Sequence, residues 1–153
     1  MSRFDEWKPP EIVEGQDTPW GWRVRHVDRL VLGKRVDIGY GCYIMAGAGV
    51  MIEDDVQIGS HCSIYSVNTI DDTHGPVVIR KGAKIGSHTT IFPGVTIGEN
   101  ATIGAHSLVK KDIPEGETWF GVPAKKWDKW DRWGKYVSGK EYCSSWGEWA
   151  DRS

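Results

Sequence analysis

The sequence predicts an all-β chain wound into a parallel β-helix, and two periodic patterns indicate this fold. In the first, an aliphatic residue recurs from Leu32 onward at steps of six, with one step of eight and one of nine. Self-similarity at a fixed period is typical of solenoids, in which each repeat stacks on the next. The aliphatic positions are Leu32, Ile38, Ile44, Ile52, Ile58, Ile64, Ile70, Ile79, Ile85, Ile91, Ile97, Ile103 and Val109.

The second pattern places a small or branched residue two positions before most of these aliphatics. Its members are Val36, Cys42, Val50, Val56, Cys62, Val77, Ala83, Thr89, Val95, Ala101 and Ser107. Because residues two apart in a strand face the same side, both sets are expected to point into one core. Three strands and three corners then form a triangular coil of 18 residues, with coils about 4.8 Å apart. The contacts expected one coil apart are Ile79–Ile97, Ile85–Ile103 and Ile91–Val109.

The cysteines fit this core. Cys42 and Cys62 are 20 positions apart, which is one coil plus the excess of the eight-residue step. We expect them to stack as buried, unreactive thiols. Three cysteines without a CxxC pair favour neither a disulfide framework nor a zinc site.

Length and charge exclude several classes of protein. The chain has 153 residues and a formal net charge of −2, which suits one domain and gives no general electrostatic reason to bind nucleic acid or a membrane surface. No apolar run approaches the roughly 20 residues of a membrane-spanning helix. The polar start, MSRFDEWKPP, does not resemble a secretory signal, so a cytoplasmic location is expected.

The two ends of the chain lie outside the repeat. Residues 1–29 are expected to form an arm or cap, residues 30–113 the β-helix, and residues 114–153 a tryptophan-rich extension. Trp127, Trp130, Trp133 and Val137 would share one face of a possible helix there, although Gly134 weakens this prediction. The extension could dock on its own or a neighbouring subunit, or stack on a nucleotide or sugar ring.

The segment IGSHTTIFPGVTIGENATIGAHSLVKKDIPEGETWFGVPAKK carries three distinctive pieces: PGVTIG, the KDIP exit and the GVPA turn. It resembles the C-terminal coils of the hexapeptide-repeat acetyltransferases, especially the galactoside and maltose O-acetyltransferases and the nucleotide-sugar N-acetyltransferases. The resemblance covers about residues 30–126. It implies a left-handed helix and a homotrimer with active sites between subunits. It also implies acetyl-CoA as co-substrate and a sugar or nucleotide-sugar acceptor, as in polysaccharide biosynthesis.

The resemblance also assigns contacts to coenzyme A. By position these fall on Ser87, Ala105, Lys110, Lys111 and Lys125. Small side chains allow close approach of an extended pantetheine arm, and lysines suit phosphate groups. The last of these lysines stands where many relatives carry arginine.

A histidine is the expected general base, because its pKa near 6.5 suits removal of a proton from the acceptor. His74 lies in what reads as a three-residue excess between two repeats, beside Asp71 and Asp72, which could orient and stabilise its ring. In the related family the histidine aligns near Thr69, five residues earlier. Either His74 has taken over the role, or no base is used and Asn68 positions an acceptor amine, as in some nucleotide-sugar N-acetyltransferases.

Three other interpretations of the sequence are a histidine metal site, a zinc enzyme and a non-catalytic assembly protein. His88 and His106 are one coil apart and are expected to stack on the outer surface, as solvated or interface residues or as a metal site. A γ-type carbonic anhydrase shares the solenoid but needs two zinc histidines five residues apart, and Pro93 stands five after His88. A non-catalytic assembly protein is the third possibility. The sequence predicts no resident metal.

Overall fold

The computed structural model of the chain describes residues 6–127, and its secondary structure there consists of short strands and one 3₁₀ turn at Val27–Arg29. The strands are β1 (Arg23–Arg25), β2 (Leu30–Leu32), β3 (Asp37–Ile38), β4 (Tyr43–Met45), β5 (Val50–Ile52), β6 (Gln57–Ile58), β7 (Ser63–Tyr65), β8 (Val67–Asn68), β9 (Thr73–His74), β10 (Val77–Ile79), β11 (Lys84–Ile85), β12 (Thr90–Ile91), β13 (Thr96–Ile97), β14 (Thr102–Ile103), β15 (Leu108–Val109), β16 (Thr118–Gly121) and β17 (Ala124–Lys126).

Apart from the β8–β9 pair, the strands form three sheets that are the faces of a prism, and all the pairings in these sheets are parallel except that of β16 with β17. The first face has the order β1-β4-β7-β12-β15, the second β13-β10-β5-β2, and the third β17-β16-β14-β11-β6-β3. The chain visits the first, second and third faces in turn, so sequence neighbours lie on different faces and coil neighbours pair. This is the predicted parallel β-helix.

The predicted core contacts are confirmed. Both inward-facing sets are almost entirely buried, because alternate residues of each short strand turn to the same side. Coil neighbours pair in register as expected: Ile79 with Ile97, Ile85 with Ile103, and Ile91 with Val109. The core is therefore a set of aliphatic columns parallel to the helix axis.

Ile70 is the exception, and its predicted core position is wrong. The side chain is 92% exposed, because the chain leaves the coil at Val67 and returns as the antiparallel β8–β9 hairpin. Gly75 N donates to Ser66 O at 2.9 Å and closes the base of this excursion. Ile58 pairs with Ile85, 27 positions on, where a regular coil takes 18. The insertion is thus nine residues long rather than three.

The corners bring backbones of successive coils into direct contact. At Gly86 an added Cβ would stand 2.5 Å from the backbone N of Ala105 in the next coil. Real Cβ contacts are longer than this, so glycine is required there by space rather than by backbone dihedral angle. The close stacking of coils therefore depends on such corners.

The coil stack extends past both expected limits. At the start, β1 pairs with β4 from Arg23 onward, and Trp22 beneath it is 3% exposed. At the other end, β16 adds a strand to the third face and β17 folds back on it. Trp127 N donates to Thr118 O at 2.7 Å. The proposed stripe of Trp130, Trp133 and Val137 lies outside the described residues. No helix within residues 6–127 has the length and hydropathy to cross a membrane.

Replacing Gly86 with alanine should destabilise the protein more than replacing Gly94, which sits in another corner. An alanine at Gly86 forces the Ala105 backbone to move, and overpacking of this kind costs about 1–3 kcal/mol. At Gly94 nothing lies within 4 Å, and only its φ of +80° opposes a side chain, at about 1–2 kcal/mol. Urea unfolding of both variants measures the difference, and a larger loss for Gly94→Ala would contradict the close-contact argument.

Candidate active site

The inserted hairpin stands at the corner between the first and second faces, which we call the hairpin corner. Its turn is held locally: Asp71 accepts hydrogen bonds from Thr73 N at 3.2 Å and from Thr73 Oγ1 at 2.7 Å. Asp72 adopts φ of +55°, a left-handed conformation that aspartate tolerates better than most residues. The hairpin is thus an ordered loop that projects from the coil.

His74 lies at the end of the hairpin nearest the coil, exposed on β9 and directly across from Val67 on β8. Among residues 6–127, no side-chain hydrogen bond reaches its imidazole, and Asp71 is engaged with Thr73. Asn68 Oδ1 accepts a hydrogen bond from Ile70 N at 3.1 Å, so this amide stabilises the turn. The structure therefore brings the predicted base and its polar neighbours into one hairpin, with the imidazole open to solvent.

Positive charge borders the hairpin at the same corner. Lys110 Nζ lies 5.9 Å from the centroid of the Phe92 ring, and exposed Lys111 follows it in the chain. The hydrogen bond from Thr73 holds the pKa of Asp71 below its usual range, and the positive charge of Lys110 acts in the same direction. Asp71 is therefore a carboxylate at neutral pH.

The corner between the third and first faces carries a stack of imidazoles, and we call it the histidine corner. His88 and His106 stack with centroids 4.7 Å apart and planes at 10°, which confirms their predicted contact. His61 continues the stack at 4.9 Å and 13°, and Tyr40 meets it edge-on at 5.7 Å. Each of the three histidines follows a core isoleucine by the same number of positions. The sequence did not predict that His61 belongs to the stack, because the hairpin lengthens the coil between His61 and His88.

Ser87 and Ala105 lie in this same corner, each immediately before a stacked histidine. The corner glycines fix their spacing, since Gly59 packs against the backbone of Ser87 and Gly86 against that of Ala105. Ser87 is half-buried and Ala105 exposed. The two positions therefore form a narrow strip of small residues one coil apart.

A shallow groove of about 310 Å³ runs along the third face beside the histidine corner. It crosses four successive strands and so follows the helix axis for roughly 14 Å, at about 4.8 Å per coil. The repeat pattern does not by itself predict this groove, although its outward residues share one position of the repeat. The lining residues are Asp37, Gln57, Ile58, Gly59, Lys84, Ile85, Gly86, Thr102 and Ile103.

The predicted site residues therefore fall into two groups. Lys125 joins the histidine corner, because it pairs with Phe120, whose side chain covers Gly104. The strands of the first face run from the histidine corner to the hairpin corner, so one chain holds the two groups at opposite ends of that face. The hairpin-corner group is Asn68, Asp71, Asp72, His74, Lys110 and Lys111; the histidine-corner group is Ser87, Ala105 and Lys125.

The cysteine thiols of residues 6–127 are free and buried. Cys42 and Cys62 are buried neighbours, as predicted: Cys62 N donates to Cys42 Sγ at 3.4 Å, and Cys42 Sγ donates to Gly59 O at 3.0 Å. The hydrogen bond with Cys62 and burial raise the pKa of the Cys42 thiol. In the described part of the chain, no three His, Cys, Asp or Glu side chains are grouped so that they could hold a metal ion.

Known proteins match this fold and these coils. Residues 75–111 match the family model described as bacterial transferase hexapeptide (six repeats). A Staphylococcus aureus (strain COL) protein named as an acetyltransferase is 38% identical over 118 residues, covering 71% of this chain and 56% of that protein. A galactoside O-acetyltransferase of Lactococcus lactis is 34% identical over 106 residues, covering 60% of this chain and 51% of that enzyme.

Among solved structures, a hexapeptide-repeat-containing acetyltransferase of Vibrio cholerae, complexed with acetyl coenzyme A, has a TM-score of 0.67 at 26% identity. The match covers 70% of this chain and 63% of that one. The predicted resemblance is thus confirmed: the chain is a β-helix with hexapeptide repeats, which indicate a left-handed coil, and it is similar to acetyltransferases. It spans about half the length of the curated relatives it matches.

Replacing Thr73 with valine should raise the pKa of Asp71 toward the ordinary value of about 3.9. The folded pKa lies below the unfolded one, so this contact stabilises the hairpin fully above the unfolded pKa and is lost as pH falls through the folded pKa. Carbon-13 NMR titration of the carboxyl measures the shift. Lys110→Ala should raise the pKa less, since Thr73 is the larger influence. Unchanged titration in Thr73→Val would contradict this account of the turn.

Proposed function

We propose that this protein transfers an acetyl group from acetyl-CoA to a hydroxyl or amine of a sugar or nucleotide-linked sugar. The observation that carries the proposal is the exposed His74 on an ordered hairpin, inserted into coils similar to those of acetyltransferases. A rigid scaffold with one functional loop is a common arrangement for catalysis. The galactoside acceptor of one relative supports the sugar class for this chain. Such acetylation serves polysaccharide biosynthesis, and the donor implies a cytoplasmic enzyme.

The donor would lie along the outside of the helix at the histidine corner. Ser87 and Ala105 leave room for the pantetheine arm, and the adjoining groove runs in the direction that an extended arm needs. Lys125 could contact the phosphate groups as a point charge. Lys110 and Lys111 belong to the other corner, and they would reach the same donor only from a neighbouring chain.

His74 is the proposed general base. It would accept the proton of the acceptor hydroxyl or amine while that oxygen or nitrogen attacks the thioester carbonyl carbon. The carbon–sulfur bond then breaks, and the coenzyme A thiolate leaves and takes the proton back from the imidazolium. Asp71 and Asp72 lie in the turn of the same hairpin, where they could hold the imidazole ring or the acceptor. Asn68 could bind the acceptor through its amide nitrogen, since its Oδ1 is engaged in the turn.

The active enzyme is proposed to be a homotrimer. One chain keeps the proposed base and the donor strip at opposite ends of its first face. A ring of three chains would place the hairpin corner of one beside the histidine corner of the next, and would complete three sites. Each site would then contain residues of two chains.

His74→Ala should lower turnover by roughly 10²–10⁴ while leaving acetyl-CoA binding intact, because the base acts on the acceptor. Thiol release measures turnover against a panel of free sugars and nucleotide-linked amino sugars, and a thermal shift with acetyl-CoA measures binding. A His74→Ala protein that keeps most of its turnover would remove this residue from the mechanism. If Asn68→Ala loses turnover instead, the reaction proceeds without a histidine base.

Mixed oligomers test whether the site is shared between chains. Ala105→Trp should block the donor strip and His74→Ala should remove the base, so each homogeneous variant should be inactive. After co-refolding, some interfaces pair an intact histidine corner with an intact hairpin, and turnover should return to a fraction of the wild-type value. Co-refolding with a doubly substituted chain is the matched control. No recovery in the mixture would contradict a shared site.

A further inference from the structure

His26 is a histidine that neither the repeat nor the proposed mechanism uses, and it lies in the hairpin corner. It follows β1 and precedes the 3₁₀ turn, with φ of +64° and ψ of +57°. The surrounding backbone is tied down: Arg29 N donates to His26 O at 2.9 Å, and Val27 N donates to Glu14 Oε1 at 3.0 Å. Its imidazole is exposed on a fixed backbone rather than on a free loop.

The side chains of His26 and Val67 converge over Gly47, which belongs to the coil between them. A Cβ at Gly47 would stand 3.3 Å from Cδ2 of His26 and 3.1 Å from Cγ2 of Val67. This glycine is itself held in place, because Arg29 Nη1 donates to its carbonyl. Ala48 N next to it donates to Ser66 Oγ at 2.9 Å. His26 therefore approaches the hairpin from below, across a glycine that leaves room for both side chains.

Strand pairing then places His74 on the same side. Val67 and His74 are direct cross-strand partners in the hairpin, and residues directly opposite in an antiparallel pair project from the same face. The Val67 side chain is turned toward Gly47 and His26. Hence His74 also projects from the hairpin face that is turned toward His26.

We propose that His26 and His74 form a two-imidazole acceptor site, in which His26 is a specificity-determining residue. This rests on the proposed function, in which His74 takes the proton of the reacting hydroxyl or amine. A neutral imidazole can donate one hydrogen bond and accept another, so His26 can bind a second hydroxyl of the same sugar. Two contacts fix the ring orientation and so select which group reaches His74. The acceptor class is a sugar with at least two neighbouring polar groups.

His26→Asn tests this role, with Arg35→Asn as the matched control in the corner between the second and third faces, which holds none of the proposed site residues. Both residues are exposed and have left-handed backbones, with φ of +64° and +54°, and asparagine tolerates that conformation. The probes are methyl galactoside and glucosamine, with acetyl-CoA as donor. We expect His26→Asn to raise the KM for the sugar roughly three- to tenfold, as loss of one hydrogen bond implies, and to leave the KM for acetyl-CoA unchanged. The Arg35→Asn protein should match the wild type in its KM for sugar.

Imidazole NMR supplies a second readout that does not require turnover. Titration with each sugar should shift the ring resonances of His26 and His74 together. Equal KM values for His26→Asn and Arg35→Asn, or sugar-induced shifts at His74 without shifts at His26, would overturn the inference and leave the proposed function standing. A wild-type protein that neither binds acetyl-CoA nor releases thiol would contradict the proposed function. The NMR titration with sugar would still test whether His26 and His74 bind one sugar together.

Discussion

The stacking of β-branched side chains in columns, coil on coil, is the constraint on which the rest of the structure depends. Each coil contributes few residues to the core, so a column such as Ile64 and Ile91 is stable only when its neighbours lie directly above and below. Corner glycines make this spacing possible, since at Gly86 the next coil leaves no room for a side chain. The same register orders the outer surface, where it brings the rings of His88 and His106 into contact.

The coils repeat one another closely, and the inserted hairpin is the element that projects from them. The hairpin satisfies its hydrogen bonds internally, through the pairing of β8 with β9 and the Asp71–Thr73 turn. It can therefore project from the prism without disturbing the coil beneath, which closes at Ser66 and Gly75. The result is an ordered, solvent-exposed histidine fixed relative to a rigid body. In the proposed trimer, corners that carry different residues would let one chain hold two halves of a site that meet only between chains.

Whether the sequence predicts a given contact depends on the kind of interaction that forms it. The core columns, the buried cysteine pair and the His88–His106 contact follow from counting, because residues 18 apart in a regular coil must stack, and the eight-residue step makes this spacing 20 for the cysteines. Ile70 shows where counting fails. It keeps the six-residue phase yet is exposed, since a polar turn beginning at Asn68 can form its own hydrogen bonds and leave the coil. The length of the insertion was misjudged for the same reason, and with it the place of His61 in the stack.

The sequence by itself determined the solenoid, its faces and the identity of its core, because aliphatic side chains at a strict six-residue period are all buried only when three-strand coils stack in register. It also singled out the segment that contains His74. Only the tertiary structure decided how the site residues are distributed between two corners, and that His26 faces the hairpin. Those relations depend on which corner each coil turns at and on the face from which a cross-strand pair projects. Both are set by contacts between residues far apart in the chain.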